Sequence, residues 1–129
     1  MNGIEWVVEA HGCDPRALAD AVKLRELFAQ LIADLSLRPV AETQWHQFPA
    51  LDGDFGGITG LCLLAESHLT VHTFPEHASL CLNLFCCRPR PQWDFVRQMG
   101  ERFGASRVVV RKLNREYASV AAMAAGAQR

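Results

Sequence analysis

The chain has 129 residues and a mass of 14.3 kDa, the size of one domain, with little room for a second. Half of the residues are hydrophobic and 21% are charged, which is typical of a packed globular core and excludes an intrinsically disordered chain. The net charge of −1 gives no strong field for binding nucleic acid or an anionic membrane, so we expect neither as a partner. The apolar runs, such as residues 61–65, are far shorter than the roughly 20 residues that cross a bilayer. The amino terminus lacks a signal-peptide pattern, and we expect a cytoplasmic protein.

The cysteine content argues against a disulfide framework and against a zinc ribbon. There are five cysteines, an odd number, and no pair has the CxxC spacing. We therefore expect free thiols, one of which has a chemical role. The five are Cys13, Cys62, Cys81, Cys86 and Cys87.

The first third of the chain predicts a strand, a helix and a second strand. Residues 4–10 are rich in β-formers, and the following turn offers Asp14 as a helix N-cap and Pro15 as the first helical residue. Apolar residues then recur at offsets of three and four, so one helical face packs on a sheet, and Pro39 ends the helix. Residues 40–48 predict the second strand. That apolar face is Leu24, Leu27, Phe28, Leu31, Ile32 and Leu35.

The rest of the chain predicts strands in groups and one more helix. A Gly-, Asp- and Pro-rich loop over residues 49–57 precedes strands at 58–65, 68–74 and 79–85. Leu80, Leu82 and Leu84 alternate with more polar neighbours, as in a half-buried strand. Residues 107–113 predict the last strand, and the Ala-rich tail from residue 114 predicts a helix or a frayed end. The second helix is outlined by Trp93, Val96, Met99 and Phe103.

This order of elements predicts an α+β fold. We expect a single domain over residues 1–129, a two-layer sandwich of a mostly antiparallel sheet with helices on one face. The other face of such a sheet is bare. If that face is apolar, a second copy of the chain is its natural cover, which predicts a homodimer with four layers.

Residues 66–77 concentrate a serine, three histidines and two carboxylates, and three interpretations of them compete. In the first, a polar strand edge contains histidines, with His68 and His72 on one face. In the second, these two and His77 bind zinc, although residues four apart in a strand are separated by about 13 Å. In the third, the serine on a tight connection between two strands attacks the carbonyl before it, which would cleave the chain.

Four motifs stand out along the chain: GCDP near the start, HQF in the second predicted strand, GGITG before the third, and the run AESHLTVHTFPEHASLCLNLFCC. In these motifs the sequence resembles the prokaryotic S-adenosylmethionine decarboxylase proenzyme family. The resemblance covers residues 4 to 113, and the central motif is long and specific. The last dozen residues have no counterpart.

The resemblance implies that the chain cleaves itself between Glu66 and Ser67 through an ester intermediate. The products would be a β chain, residues 1–66, and an α chain, residues 67–129, whose first residue becomes a pyruvoyl group. His72 matches the histidine that acts as the base in processing. Thr59 stands where the family has a serine that stabilises the intermediate, and it keeps the hydroxyl group. The pyruvoyl cofactor forms a Schiff base with the substrate amine and accepts the electrons released with carbon dioxide.

The same resemblance assigns residues to the substrate. Cys87, twenty positions after Ser67, would protonate the decarboxylated carbon, while Cys86 would face the other way. Glu76 would accept hydrogen bonds from the ribose hydroxyls of S-adenosylmethionine. Two aromatic residues complete the expected site: Phe48 would stack on adenine, and Phe74 stands where tryptophan is usual.

We therefore expect a pyruvoyl-dependent lyase that makes decarboxylated S-adenosylmethionine, the aminopropyl donor for spermidine synthesis. Departures from the family pattern at residues 59, 74, 86, 87 and 88 leave a decarboxylase of arginine or ornithine as an alternative. A non-enzymatic metal-binding or regulatory module is the alternative from another class.

Overall fold

The computed structural model describes residues 2–51, 53, 55–65 and 67–118, which form a six-stranded antiparallel sheet with helices on one face. The predicted α+β class is confirmed. The spatial order of strands is β2-β3-β4-β5-β1-β6. No helix in the described part of the chain is long and apolar enough to span a membrane. In chain order the elements are β1 (Asn2–His11), α1 (Pro15–Leu18), α2 (Ala21–Asp34), β2 (Gln44–Gln47), β3 (Ile58–Leu64), β4 (Ser67–Phe74), a 3₁₀ turn (Pro75–His77), β5 (Ser79–Cys86), α3 (Phe95–Phe103) and β6 (Arg107–Glu116).

The predicted single helix after β1 is in fact two helices. Asp14 caps α1 as predicted, but this helix ends at Leu18. Helix α2 begins after its own N-cap, Asp20, whose carboxylate accepts hydrogen bonds from the N–H groups of Val22 and Lys23. The prediction that Pro39 ends the helix was wrong. Ser36 takes the left-handed conformation (φ 54°), and the N–H of Leu37 bonds to the carbonyl of residue 32 at 2.9 Å, so a Schellman-type cap ends α2 first.

Three other predicted boundaries differ from the structure. Strand β2 is shorter than residues 40–48, and β6 runs on to Glu116, so the tail begins as strand; residues 119–129 lie outside the described residues. Helix α3 begins after the Asp94 cap and buries Phe95, while Val96 is 59% exposed and does not belong to the apolar face. The buried positions Phe95, Met99 and Phe103 follow a spacing of four, which places Val96 off that stripe.

The core lies between the sheet and the helices and follows strict strand alternation. Every second residue of β1 and β5 points toward the helices and is buried, as predicted for Leu80, Leu82 and Leu84. On the opposite side of the sheet, which we call the open face, none of the helices in the described part of the chain is packed. In β4 the residues of the open face are His68, Thr70, His72 and Phe74.

Candidate functional site

A pocket of about 260 Å³ opens at one end of the sheet, where β3, β4 and the loop after β2 meet. Its wall is mostly apolar. It brings together five of the residues singled out in the sequence, although they come from four separate segments. The lining residues are Phe48, Pro49, Leu51, Gly57, Thr59, His72, Thr73, Phe74 and Glu76.

A threonine and a histidine are paired in this pocket. Thr59 and His72 face each other across the antiparallel β3–β4 ladder, and Thr59 Oγ1 lies 2.9 Å from His72 Nδ1. Either group can donate, depending on the imidazole tautomer. The imidazole is exposed to solvent, so its other nitrogen can exchange a proton with a bound group.

Two glycines bring the loop that carries Phe48 close to the strands. A Cβ at Gly56 would lie 1.8 Å from the Phe48 carbonyl oxygen, and one at Gly57 would lie 2.4 Å from the Thr73 carbonyl oxygen. Only glycine fits such close backbone approaches. The N–H of Phe48 donates to the Gly57 carbonyl at 2.8 Å, and the Phe48 ring packs edge-on against His46. The loop thus holds an aromatic side chain at the pocket.

Sequence reasoning missed Thr73, which forms the floor of the pocket. Its side chain is 4% exposed, and its hydroxyl accepts from the Ile58 N–H and donates to the Leu18 carbonyl, both at 2.8 Å. The hydroxyl therefore ties the start of β3 and the end of α1 to β4. The signal in the sequence was a hydroxyl residue at a core-facing position of a strand.

Ser67 and Cys87 lie away from this pocket, at the other end of β4. Ser67 begins β4 and pairs with Cys86, and only two residues join it to its β3 partner Leu64. The predicted tight connection is therefore present, although Glu66 itself lies outside the described residues. Cys87, just after β5, lines a second pocket of about 350 Å³, and the Tyr117 hydroxyl donates to its carbonyl oxygen at 3.0 Å.

Two residues that the resemblance assigns to processing lie well apart along β4. Ser67 and His72 are five residues apart in an extended strand, which corresponds to about 16 Å of backbone. An odd separation also places their side chains on opposite faces of the sheet. The described chain thus holds two half-sites: the pocket at Thr59 and His72, and the strand start at Ser67 with Cys87 nearby.

A polar network crosses the open face from β4 to β6, nearer the Ser67 end of β4. Asn83 lies 2.9 Å from His68, Asn83 Oδ1 to His68 Nε2, and its amide nitrogen donates to the Glu5 carboxylate at 2.7 Å. Arg115 donates to the same carboxylate, which is 14% exposed, and the His68 ring stacks on Phe85. The hydrogen bond from Asn83, followed by those from Arg115, holds the pKa of Glu5 below its usual value despite burial. The open face is therefore polar along its centre.

The geometry does not favour the metal-binding interpretation. Within residues 2–51, 53, 55–65 and 67–118, no three His, Cys, Asp or Glu side chains converge as a metal would require. His68 and His72 share a face, as expected, but each contacts its own polar partner.

Comparison with known proteins identifies the family of the chain. A family model described as S-adenosylmethionine decarboxylase matches residues 4–116, most of the chain. The chain belongs to this family. An S-adenosylmethionine decarboxylase proenzyme of Pyrococcus furiosus is 33% identical over 117 residues, covering 88% of this chain and 78% of the relative. The one from Clostridium tetani is 30% identical and covers 88% of this chain and 86% of the relative.

A solved structure shows that the fold is also that of an S-adenosylmethionine decarboxylase. The enzyme from Aquifex aeolicus superposes with a TM-score of 0.71 over 92% of this chain and 93% of the other, at 20% identity. At that identity the match concerns the fold alone. Relatives named as proenzymes are made as precursors, which directs attention to how this chain would be processed.

Proposed function

We propose that the chain is a self-processing, pyruvoyl-dependent decarboxylase of S-adenosylmethionine that acts as a homodimer in the cytoplasm and supplies the aminopropyl donor for spermidine synthesis. The observation that carries the proposal is the hydrogen-bonded Thr59–His72 pair in an apolar pocket beside Phe48, Phe74 and Glu76. A hydroxyl and an imidazole serve acyl transfer, and the aromatic residues and the carboxylate suit a nucleoside.

Processing would begin with attack of the Ser67 hydroxyl on the carbonyl carbon of Glu66. The peptide bond becomes an ester as the acyl group moves from nitrogen to oxygen. A base then removes the α-hydrogen of residue 67, the Cβ–O bond breaks, and Glu66 leaves as a carboxylate. The dehydroalanine that remains isomerises to an imine, which water hydrolyses to a ketone and ammonia. His72 is the proposed base, and Thr59 positions it.

The half-site around Ser67 fits the group that processing would generate. The pyruvoyl group supplies an electron sink for decarboxylation. Cys87 is the proposed proton donor to the decarboxylated carbon, since its side chain is partly exposed at a pocket and Cys86 is buried in the core. Phe48 and Phe74 would bind the adenine ring, and the exposed Glu76 the ribose hydroxyls.

A homodimer would join the two half-sites. Two copies packed through their open faces with their β4 strands antiparallel would place the β3–β4 connection of one copy over the His72 end of the other. Ser67, the first residue of β4, starts on the helix side of the sheet, so its side chain would turn at this strand end to reach the partner's imidazole. The half-site pocket, about 260 Å³, falls just below the roughly 300–1,000 Å³ of complete ligand sites, as expected for a site that a partner completes. Leu61, Leu63 and Leu113, exposed on the open face, flank its polar centre and would be covered.

The test is to follow cleavage and decarboxylation with the same preparation. We expect the purified protein to separate under denaturing conditions into residues 1–66 and a pyruvoyl-blocked chain beginning at position 67, as measured by intact mass. The cleaved protein should release carbon dioxide from S-adenosylmethionine and not from arginine or ornithine.

The control is Ser67→Ala, which should stay whole because the attacking hydroxyl is gone. A wild-type chain that stays whole after long incubation would refute self-processing. Carbon dioxide release from arginine or ornithine alone would instead keep the chemistry and refute the substrate.

A further inference from the structure

Three arginines surround the connection between β3 and β4, the segment in which cleavage is proposed. On one side, the chain before β2 runs beside the end of β3: the Ala65 N–H donates to the Arg38 carbonyl at 2.7 Å. On the other side, the Ser67–Cys86 pair brings the end of β5 alongside, and the chain continues directly into Arg88 and Arg90. Arginines from two neighbouring segments thus place positive charge near the connection between β3 and β4.

These arginines line a common pocket of about 310 Å³ together with Ala65 and Pro89. No acidic residue is among its described lining residues. The charge of Arg90 also reaches the Cys86 thiol, where it partly opposes the rise in pKa that burial causes. Ala65, which lines this pocket, is one peptide bond before Glu66 in the sequence, where the chain would be cut.

We infer that the pocket formed by Arg38, Arg88 and Arg90 is an anion site. Its ligand is the backbone α-carboxylate that self-cleavage creates on Glu66, at the end of the β chain. The inference rests on the proposed function, because only self-cleavage creates this carboxylate. Guanidinium groups bind carboxylates in a bidentate manner and stay charged at every working pH. The ligand is therefore the new end of the β chain.

The timing of charge formation explains what the pocket does. In the ester intermediate the Glu66 carbonyl is neutral. When the α-hydrogen of residue 67 leaves and the Cβ–O bond breaks, the electron pair of that bond goes to the Glu66 oxygen, and a full negative charge develops there. Cations beside the departing carboxylate would stabilise the leaving group in the transition state. The pocket would therefore speed β-elimination and not the earlier acyl shift.

The substrate carboxylate is a less suitable ligand for the same pocket. Its charge disappears as carbon dioxide forms, so cations bound to it would stabilise the reactant more than the transition state and slow decarboxylation. The new α-carboxylate of Glu66 gains its charge during the reaction, which is the case that three neighbouring cations favour.

The test separates the acyl shift from the elimination by trapping the ester. Hydroxylamine cleaves an ester at Glu66 to a β-chain hydroxamate and an α chain that begins with an intact Ser67, and mass spectrometry distinguishes this from the pyruvoyl product. We expect Arg88→Gln/Arg90→Gln to slow formation of the pyruvoyl chain at least tenfold and to accumulate trappable ester. Arg25→Gln, which removes one charge from the exposed side of α2, is the control and should process like wild type.

Two further variants make the outcome decisive. Arg88→Lys/Arg90→Lys keeps the charges and should recover much of the rate, whereas a misfolded variant would show a lowered melting temperature in the Ser67→Ala background. Wild-type rates in Arg88→Gln/Arg90→Gln, or slowing without trappable ester, would overturn the anion site while leaving self-cleavage intact. An uncleaved wild-type chain would instead refute the proposed function, and this inference with it.

Discussion

At the scale of single residues, two adjacent cysteines occupy different environments. Cys86 is 3% exposed among the core residues of β5, and burial raises the pKa of its thiol. Cys87 lies one residue beyond the strand, partly exposed, at a pocket shared with Tyr117. A proton donor must reach bound substrate, so only the second thiol has the required access.

The matched pair Cys87→Ala and Cys86→Ala tests this assignment. We expect Cys87→Ala to cleave normally but to lose decarboxylation by about 10²–10⁴, the usual contribution of a general acid. Protonation at the wrong carbon would also convert residue 67 to alanine, which the mass of the α chain would reveal. Cys86→Ala should keep its turnover and lose about 1 kcal/mol of stability. The opposite result would assign the proton to Cys86.

At the scale of elements, the open-face network couples four neighbouring strands, β4, β5, β1 and β6. Each strand contributes one member, and the Glu5 carboxylate is at the centre because it accepts from both Asn83 and Arg115. The pKa of Glu5 is lowered in the folded protein, so its ionised form stabilises the fold. This stabilisation is complete above the unfolded carboxyl pKa near 4.5 and is lost as the pH falls through the lower folded value.

Glu5→Gln should therefore destabilise the protein in a pH-dependent manner. In the Ser67→Ala background, which prevents cleavage, we expect a loss of about 1–2 kcal/mol at pH 7 because charged hydrogen bonds become neutral ones. The difference between variant and parent should close as the pH falls below 4.5. Denaturant unfolding at several pH values measures it, with the exposed Glu26→Gln on α2 as the control. A difference that does not vary with pH would show that packing, not charge, explains the loss.

Elements with local signals could be predicted from the sequence, and contacts between distant residues could not. The alternation of Leu80, Leu82 and Leu84 identified β5 and its buried side because a strand has a period of two. The break between α1 and α2 was missed because the apolar periodicity continued beyond it, while the cap at Asp20 decided the boundary.

The same contrast between local sequence signals and contacts of distant residues applies to the candidate site. The resemblance assigned Thr59, His72 and Glu76 separate roles, and the structure places all three in the lining of one pocket. The Asn83–Glu5 hydrogen bond joins residues 78 positions apart, and nothing local in either segment indicates it. Likewise, the sequence shows Thr73 only as a hydroxyl residue in a strand rich in β-branched residues. Its hydrogen bond to the Leu18 carbonyl, 55 positions away, is visible only in the structure.

At the scale of the whole molecule, the separation of Ser67 from His72 makes a prediction about subunits. If each complete site takes Ser67 from one copy and His72 from the other, two inactive variants should complement each other. The His72→Ala chain still carries the Ser67 hydroxyl, and the Ser67→Ala chain still carries the His72 imidazole. Coexpressed in equal amounts, they should yield cleavage of about half of the His72→Ala chains, because random pairing joins half of them to a Ser67→Ala partner.

Intact mass assigns each α chain to its parent, since both substitutions lie within residues 67–129 and change the mass by different amounts, whereas the β chain is the same for both. The control pairs His72→Ala with the double variant Ser67→Ala/His72→Ala, a combination that contains no imidazole at position 72 and should stay whole. Size-exclusion chromatography with light scattering should show dimers in both mixtures. If the two single variants form dimers but His72→Ala remains uncleaved, His72 does not act across the interface. Cleavage of His72→Ala by itself would mean that another group removes the α-hydrogen of residue 67.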